Sequence, residues 1–196
     1  TGVEKRHIAE SESTVSMAVE AGRQVLAQTG IRPEELDMIV VSTMSPDAVL
    51  PCTACEVQKA IGAEGAVCFD LQAACTGFIF AYNTAQAYIQ SNMYRTVLLI
   101  GSERLSRLVD WTDRGTCILF GDGAGAAVLK AAEGRAYLPV SHSDGQKGEA
   151  LTCDRYIHMD GRAVFQFAVT RVPEVIREVL TKNELLMDDI DYFVLH

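Results

Sequence analysis

The sequence predicts an α/β fold with mainly parallel strand pairing, and three observations predict it. Short β-branched or apolar runs at Ile39–Thr43, Ala66–Asp70, Thr96–Ile100 and Ala124–Lys130 read as buried strands. Longer stretches with apolar residues at helical spacing lie among them, and buried strands alternating with helices argue for a sheet covered on its faces. The composition, 48% apolar and 22% charged over 196 residues, is that of a globular chain able to bury one substantial core.

Taken in order, Glu12–Thr29 places Val15, Ala18, Val19, Val25 and Leu26 at helical spacing, with Ser11 and Ser13 as capping candidates and Gly30 as the stop. Ile39–Thr43 is a strand that ends at the turn-forming Ser45-Pro46-Asp47. Pro51 suits the first turn of the next helix, where its missing N–H is not needed, and that helix continues from Cys52 to Ile61 until Gly62 stops it. After the strand Ala66–Asp70, a helix starting at Cys75 is apolar almost all round through Tyr82 and turns polar at Gln86 and Gln90, which predicts a place in the interior.

Thr96–Ile100 and Ala124–Lys130 are further strands, separated by the polar stretch Asp110–Gly115. Tyr137–Val140 is strand-like, and a later helix carries Val164, Ala168, Val172, Val175, Ile176 and Val179 on one face. Asp191–Leu195 reads as a last strand, followed directly by His196. An α/β chain normally covers such a strand with a helix, so a fragment of a longer protein is expected.

The net charge of -9, without a Lys/Arg cluster, argues against nucleic-acid binding. The loosely spaced Arg95, Arg104, Arg107 and Arg114 are the available source of a local basic patch, and a solvated surface explains them equally well. No apolar run approaches the roughly 20 residues that cross a bilayer, so no membrane span is expected. Nothing in Thr1-Gly2-Val3-Glu4-Lys5-Arg6 argues for export, and the cytoplasm is the expected location. Six cysteines, Cys52, Cys55, Cys68, Cys75, Cys117 and Cys153, in apolar or helical stretches of a mid-sized chain predict reduced thiols rather than a disulfide framework.

Cys75 is the residue with chemistry. It stands at a strand-to-helix turn among small residues, where the positive end of a helix dipole and unpaired amides favour a thiolate and can hold an oxyanion. On this pattern alone a buried structural cysteine is the commoner outcome. Two other motifs carry less. Gly121-Asp122-Gly123-Ala124-Gly125-Ala126 resembles a dinucleotide loop but is followed by a strand-like run instead of a helix. Cys52-Thr53-Ala54-Cys55 has redox or half-zinc-site spacing without a second Cys/His pair or a thioredoxin-like unit, and two helix-facing thiols are the better account.

Collinear segments resemble the β-ketoacyl-acyl carrier protein synthase III family. They are Thr1–Ile8, Ala66–Tyr82 around Cys75, Asp110-Trp111-Thr112-Asp113-Arg114-Gly115-Thr116, Leu119-Phe120-Gly121-Asp122-Gly123-Ala124-Gly125, and Asp191-Tyr192-Phe193-Val194-Leu195-His196. The resemblance implies a thiolase-like layered α-β-α-β-α fold of two related halves. Residues 1–132 would form the half with the nucleophile, and 133–196 the start of an incomplete second half.

The resemblance further implies a ping-pong condensation starting fatty-acid synthesis. Cys75 would accept an acyl group from acyl-CoA and pass it to a carbanion made from malonyl-acyl carrier protein by loss of carbon dioxide, with no cofactor. His196 would stabilise the enolate, Arg114 would sit near the CoA entrance, and Leu119 and Phe165 would line the acyl tunnel. Leu50 would reach into the tunnel of a second copy in a homodimer. Without the resemblance, Arg114 and His196 read as surface residues and the three apolar residues as core.

Relatives begin earlier and continue past His196, where the catalytic asparagine and a second oxyanion donor are expected. A loop is expected to be missing between Asp154 and Arg155, and Gln166 departs from the basic residue often found there. A polyketide-type starter synthase or acyl shuttle, and a non-catalytic fragment or subunit, are the alternative readings.

Overall fold

The computed structural model describes residues 3–196. Thr1 and Gly2, which open the first family-like segment, lie outside the described residues. The chain divides into two compact units, Thr1–Arg107 with Phe120–Glu133, and Leu108–Leu119 with Gly134–His196.

The first unit contains α1 (Thr14–Thr29), β1 (Met38–Ser42), α2 (Thr53–Ile61), β2 (Val67–Leu71), α3 (Gly77–Gln90), β3 (Thr96–Arg104) and β4 (Asp122–Lys130). Its sheet has the order β2-β1-β3-β4. β1 pairs parallel with both β2 and β3, and β4 closes the edge antiparallel to β3. Because successive strand side chains point to opposite faces, the sheet supplies two cores. Ile39, Val41, Leu98 and Ile100 meet Ala18, Val19 and Leu26 of α1 and Ala54 and Val57 of α2. Met38, Val40, Val97 and Leu99 meet Ala81 and Ala85 of α3. Every residue of β1 is buried, which is why that run is continuously apolar up to Ser42.

The helix ends follow the sequence closely. Ser13 caps α1 in a reciprocal arrangement with Ser16, so the helix begins at Thr14 and not at Glu12. Gly30 and Gly62 end α1 and α2 at φ 70° and 79°, left-handed values that glycine adopts without a Cβ penalty. Pro51 stands ahead of the Cys52 N-cap, outside the first turn where the sequence places it. The glycine-rich run 121–125 leads into and occupies β4, so it has no strand-turn-helix cradle for phosphates.

Three expectations are corrected. Only Gly77, Ala81 and Ala85 of α3 are buried, while Phe78 and Ile79 are 37% and 55% exposed, because the sheet covers one stripe of the helix and not its whole circumference. Tyr137–Val140 and Asp191–Leu195 form no strand, since neither is paired with a strand among the described residues; Leu138 instead bonds through its amide and carbonyl to the Asn183 side chain. Arg104 and Arg107 do not form a free basic patch. They brace the backbone, Arg104 at the carbonyls of Ala9 and Glu10, and Arg107 at those of Ser45 and Pro46 and the carboxylate of Asp47.

The second unit holds the hairpin β5 (Leu151–Cys153) and β6 (Ile157–Met159), followed by α4 (Gly161–Asn183). Asp160 caps α4 by accepting the amides of Arg162 and Ala163. Leu180 is the buried residue of this helix, and its predicted apolar face is otherwise only partly covered, with Val172 37% exposed. No helix among the described residues is long and apolar enough to cross a membrane. All six cysteines are free thiols.

Candidate active site

Cys75 lies in a single 3-10 turn, Ala74–Thr76, between the carboxyl end of β2 and the first residue of α3. The helix therefore starts two residues later than the sequence suggests. The turn is tight, and Ala74 takes φ 44°, a left-handed value strained for a residue with a Cβ. Cys75 is exposed on this turn, ahead of the amino end of α3. The amides of Thr76 and Gly77 close the turn on the carbonyls of Ala73 and Ala74, so these two are not the unpaired donors expected there.

Two contacts hold the turn in place. At Gly77 an added Cβ would meet Ser42 Oγ at 2.0 Å and Ser42 Cβ at 3.3 Å, so the first turn of α3 lies directly on the end of β1. On the other side, the Asp70 carboxylate accepts the amides of Thr53 and Ala54, each at 2.8 Å, and so caps α2 from the strand that leads into Cys75.

The exit of β1 is braced by a partly buried carboxylate that has no signal in the sequence. Glu103, at the end of β3, accepts the Met44 amide at 2.8 Å and the hydroxyls of Thr43 and Ser45. Burial pushes its carboxyl above the usual range, against the lowering effect of these donors. Asp47 caps α1 through the amides of Thr14 and Val15. Burial opposes its charge, but the Val15 amide, the Ser13 hydroxyl, the Thr14 amide and Arg107 together hold its carboxyl below the ordinary value. Neither role has a local signal, because Glu103 and Ser45 are 58 residues apart.

Leu50, in the same unit, is 83% exposed beside Val49 at 89%. It is not core, which removes the simpler explanation of this residue.

In the second unit, Arg114 is exposed and makes no ion pair among the described residues. Its loop is rigidly tied. Asp110 accepts both the amide and the hydroxyl of Thr112, and Asp113 accepts the Gly115 amide at 2.8 Å and the hydroxyl of buried Thr116 at 2.7 Å. The Thr112 hydroxyl on Asp110, and the Thr116 hydroxyl on Asp113, keep both carboxyls below their usual values. Leu119 is half-buried and its amide donates to the Thr116 carbonyl. Phe165, on the first turns of α4, is 68% exposed, and His196 is exposed after the irregular segment 191–195. The candidate residues thus divide between the units, Cys75 and Leu50 in the first, Arg114, Leu119, Phe165 and His196 in the second.

The model of the 3-oxoacyl-[acyl-carrier-protein] synthase III family matches residues 69–145, which include Cys75 and Arg114. A β-ketoacyl-[acyl-carrier-protein] synthase III of Streptococcus pneumoniae is 43% identical over the whole chain. Over its whole length the chain is similar to the β-ketoacyl-acyl carrier protein synthase III family. It spans 65% of the length of the Streptococcus relative, and the alignment runs over 212 positions against the 196 residues here, so the relative has residues within the matched span that this chain lacks.

The fold agrees. The 3-oxoacyl-[acyl-carrier-protein] synthase III of Aquifex aeolicus superposes with a TM-score of 0.93 at 42% identity, over 97% of this chain and 63% of that one. A priming β-ketosynthase from the R1128 polyketide pathway does so with a TM-score of 0.92 at 35% identity, over 97% and 62%. The architecture is therefore the thiolase-like α/β fold of these synthases.

Proposed function

We propose that the protein containing this chain is a condensing acyltransferase that starts type II fatty-acid synthesis. The exposed thiol of Cys75, on a strained turn between β2 and α3 in a chain 43% identical to a named synthase III, carries the reading. The Cys75 thiolate attacks the carbonyl of an acyl-CoA, and the tetrahedral intermediate collapses with expulsion of the CoA thiolate. Malonyl-acyl carrier protein then loses carbon dioxide. The resulting enolate carbon attacks the Cys75 thioester, forming the carbon–carbon bond and releasing the sulfur as thiolate.

The Cys75 amide is the adjacent backbone donor for the oxyanion, those of Thr76 and Gly77 being already used. His196 stabilises the enolate. Arg114, held out by its pinned loop and unpaired among the described residues, meets the phosphates of CoA. Leu119 and Phe165 line the acyl tunnel, and Leu50 enters the tunnel of a second copy, so a homodimer in the cytoplasm is the working form. Residues 1–132 are the half with the nucleophile and 133–196 the start of the second half. The thioester and the departing carbon dioxide supply all the driving force, and no cofactor is needed.

The test is incubation of the full-length protein with acetyl-CoA, followed by intact mass and peptide mapping. An acetyl group on Cys75 in the native protein and none in Cys75→Ser supports the reading. A Cys75 no more reactive than an ordinary thiol sinks it in favour of a non-catalytic subunit. The likeness to the priming ketosynthase favours a second reading, a polyketide-type starter enzyme. It is distinguished by whether malonyl-acyl carrier protein is decarboxylated and extended by the acylated protein.

A further inference from the structure

We infer that Cys52 and Cys55 are a redox-active dithiol that closes to an intramolecular disulfide on exchange with a low-molecular-weight disulfide. Cys52 is the N-cap of α2 and Cys55 lies three residues on, in its first turn. Their Sγ atoms are 3.3 Å apart, a separation that the sequence spacing permits but does not require. A bond requires an approach of about 1.2 Å more, within reach of side-chain rotation. Both residues are partly exposed, and Cys52 borders a cleft of about 380 Å³ beside Met44 and Val49. A small disulfide therefore has access to Cys52.

The neighbouring groups assign the order of events. Cys68 on β2 shares a hydrogen bond with Cys55, and burial pushes its thiol up to about 12, so it stays protonated near neutrality and does not compete. Cys55 is also held above the ordinary thiol value, first by its hydrogen bond with Cys52 and then by burial. Capping Cys52 removes the first of these causes, so Cys55 ionises more readily once the mixed disulfide exists.

The exchange balances in two steps. The Cys52 thiolate attacks one sulfur of the reagent RSSR and expels RS⁻, giving a mixed disulfide. Cys55 loses its proton to water and attacks the Cys52 sulfur, expelling the second RS⁻. The protein gives up two protons and two electrons, and the reagent is reduced to two thiols.

The experiment uses the native full-length protein with oxidised glutathione, an acid quench, alkylation with N-ethylmaleimide and peptide mapping. The expected product is a Cys52/Cys55 peptide lighter by two hydrogens and closed to alkylation, with Cys68, which lines the same cleft, recovered as an alkylated thiol. Cys55→Ser, its fold checked by circular dichroism, is expected to accumulate glutathione on Cys52. The native protein should hold about tenfold less of that adduct, because the second step is intramolecular. Equal adduct in the two proteins overturns the proposal, as does a disulfide that includes Cys68, or a native Cys52 that fails to react while the unfolded control does.

Discussion

Asp70 Oδ2 accepts the backbone amide of Thr53 at 2.8 Å, so the strand that ends at the Cys75 turn also holds the first turn of α2. The other carboxylate oxygen takes the Ala54 amide. Removing a side-chain cap of this kind costs about 1–2 kcal/mol. Asp70→Ala is expected to lose that much in urea unfolding. Asp70→Asn should lose nearly as much, because one of its two positions becomes a donor facing an amide N–H.

The contact between Gly77 and Ser42 gives a second expectation. A methyl group at Gly77 falls 2.0 Å from Ser42 Oγ, which can rotate away, and 3.3 Å from Ser42 Cβ, which cannot. Gly77→Ala should therefore destabilise by about 1–3 kcal/mol, the range for overpacking. Ser42→Ala in the same chain removes the contact with Oγ but keeps Cβ, so it should recover part of the loss, and a double-mutant cycle showing no coupling would contradict the close approach.

Glu103 predicts a pH dependence. Its folded carboxyl value is raised by burial, so the folded state holds the proton more tightly than the unfolded state does. The contribution to stability is complete below the unfolded value, about 4.3, and is lost as pH rises through the folded value. Wild type should lose stability relative to Glu103→Gln across that window. The amide can still accept from Met44 and donate to the hydroxyls. Unfolding of both proteins in urea from acid to neutral pH checks the sign, and a difference that grows the other way would contradict it.

Arg114 separates binding from stability. Exposed and without an ion pair among the described residues, it contributes little to folding. If it meets CoA phosphate, Arg114→Ala in the full-length protein should raise KM for the acyl-CoA about tenfold, the worth of one charge-assisted hydrogen bond. The melting temperature should stay unchanged. An unchanged KM would remove Arg114 from the CoA site.

Much of the fold was legible because its cause is local. β1 and the first half of β3, Thr96–Ile100, announce themselves by continuous runs, since strands covered on both faces have no polar side to display. Ser13, Gly30 and Gly62 mark helix ends because capping depends on a few neighbouring residues. The failures have a common origin. Tyr137–Val140 and Asp191–Leu195 have strand-like composition, but a strand exists only beside another strand, and neither segment is paired with one among the described residues. The apolar start of α3 implies burial all round, while only the stripe facing the sheet is covered.

The candidate site divides in the same way. The sequence by itself determined that Cys75 stands among small residues at a strand-to-helix junction, and which family its motifs resemble. Only the tertiary structure decided that the thiol is exposed on a 3-10 turn, that Ser42 forbids a side chain at Gly77, that Asp70 caps a helix 16 or 17 residues away, and that Cys52 and Cys55 lie with their sulfurs 3.3 Å apart. Composition and periodicity report what a residue's near neighbours require. Side-chain approach across the sheet depends on distances that exist only once the chain has folded.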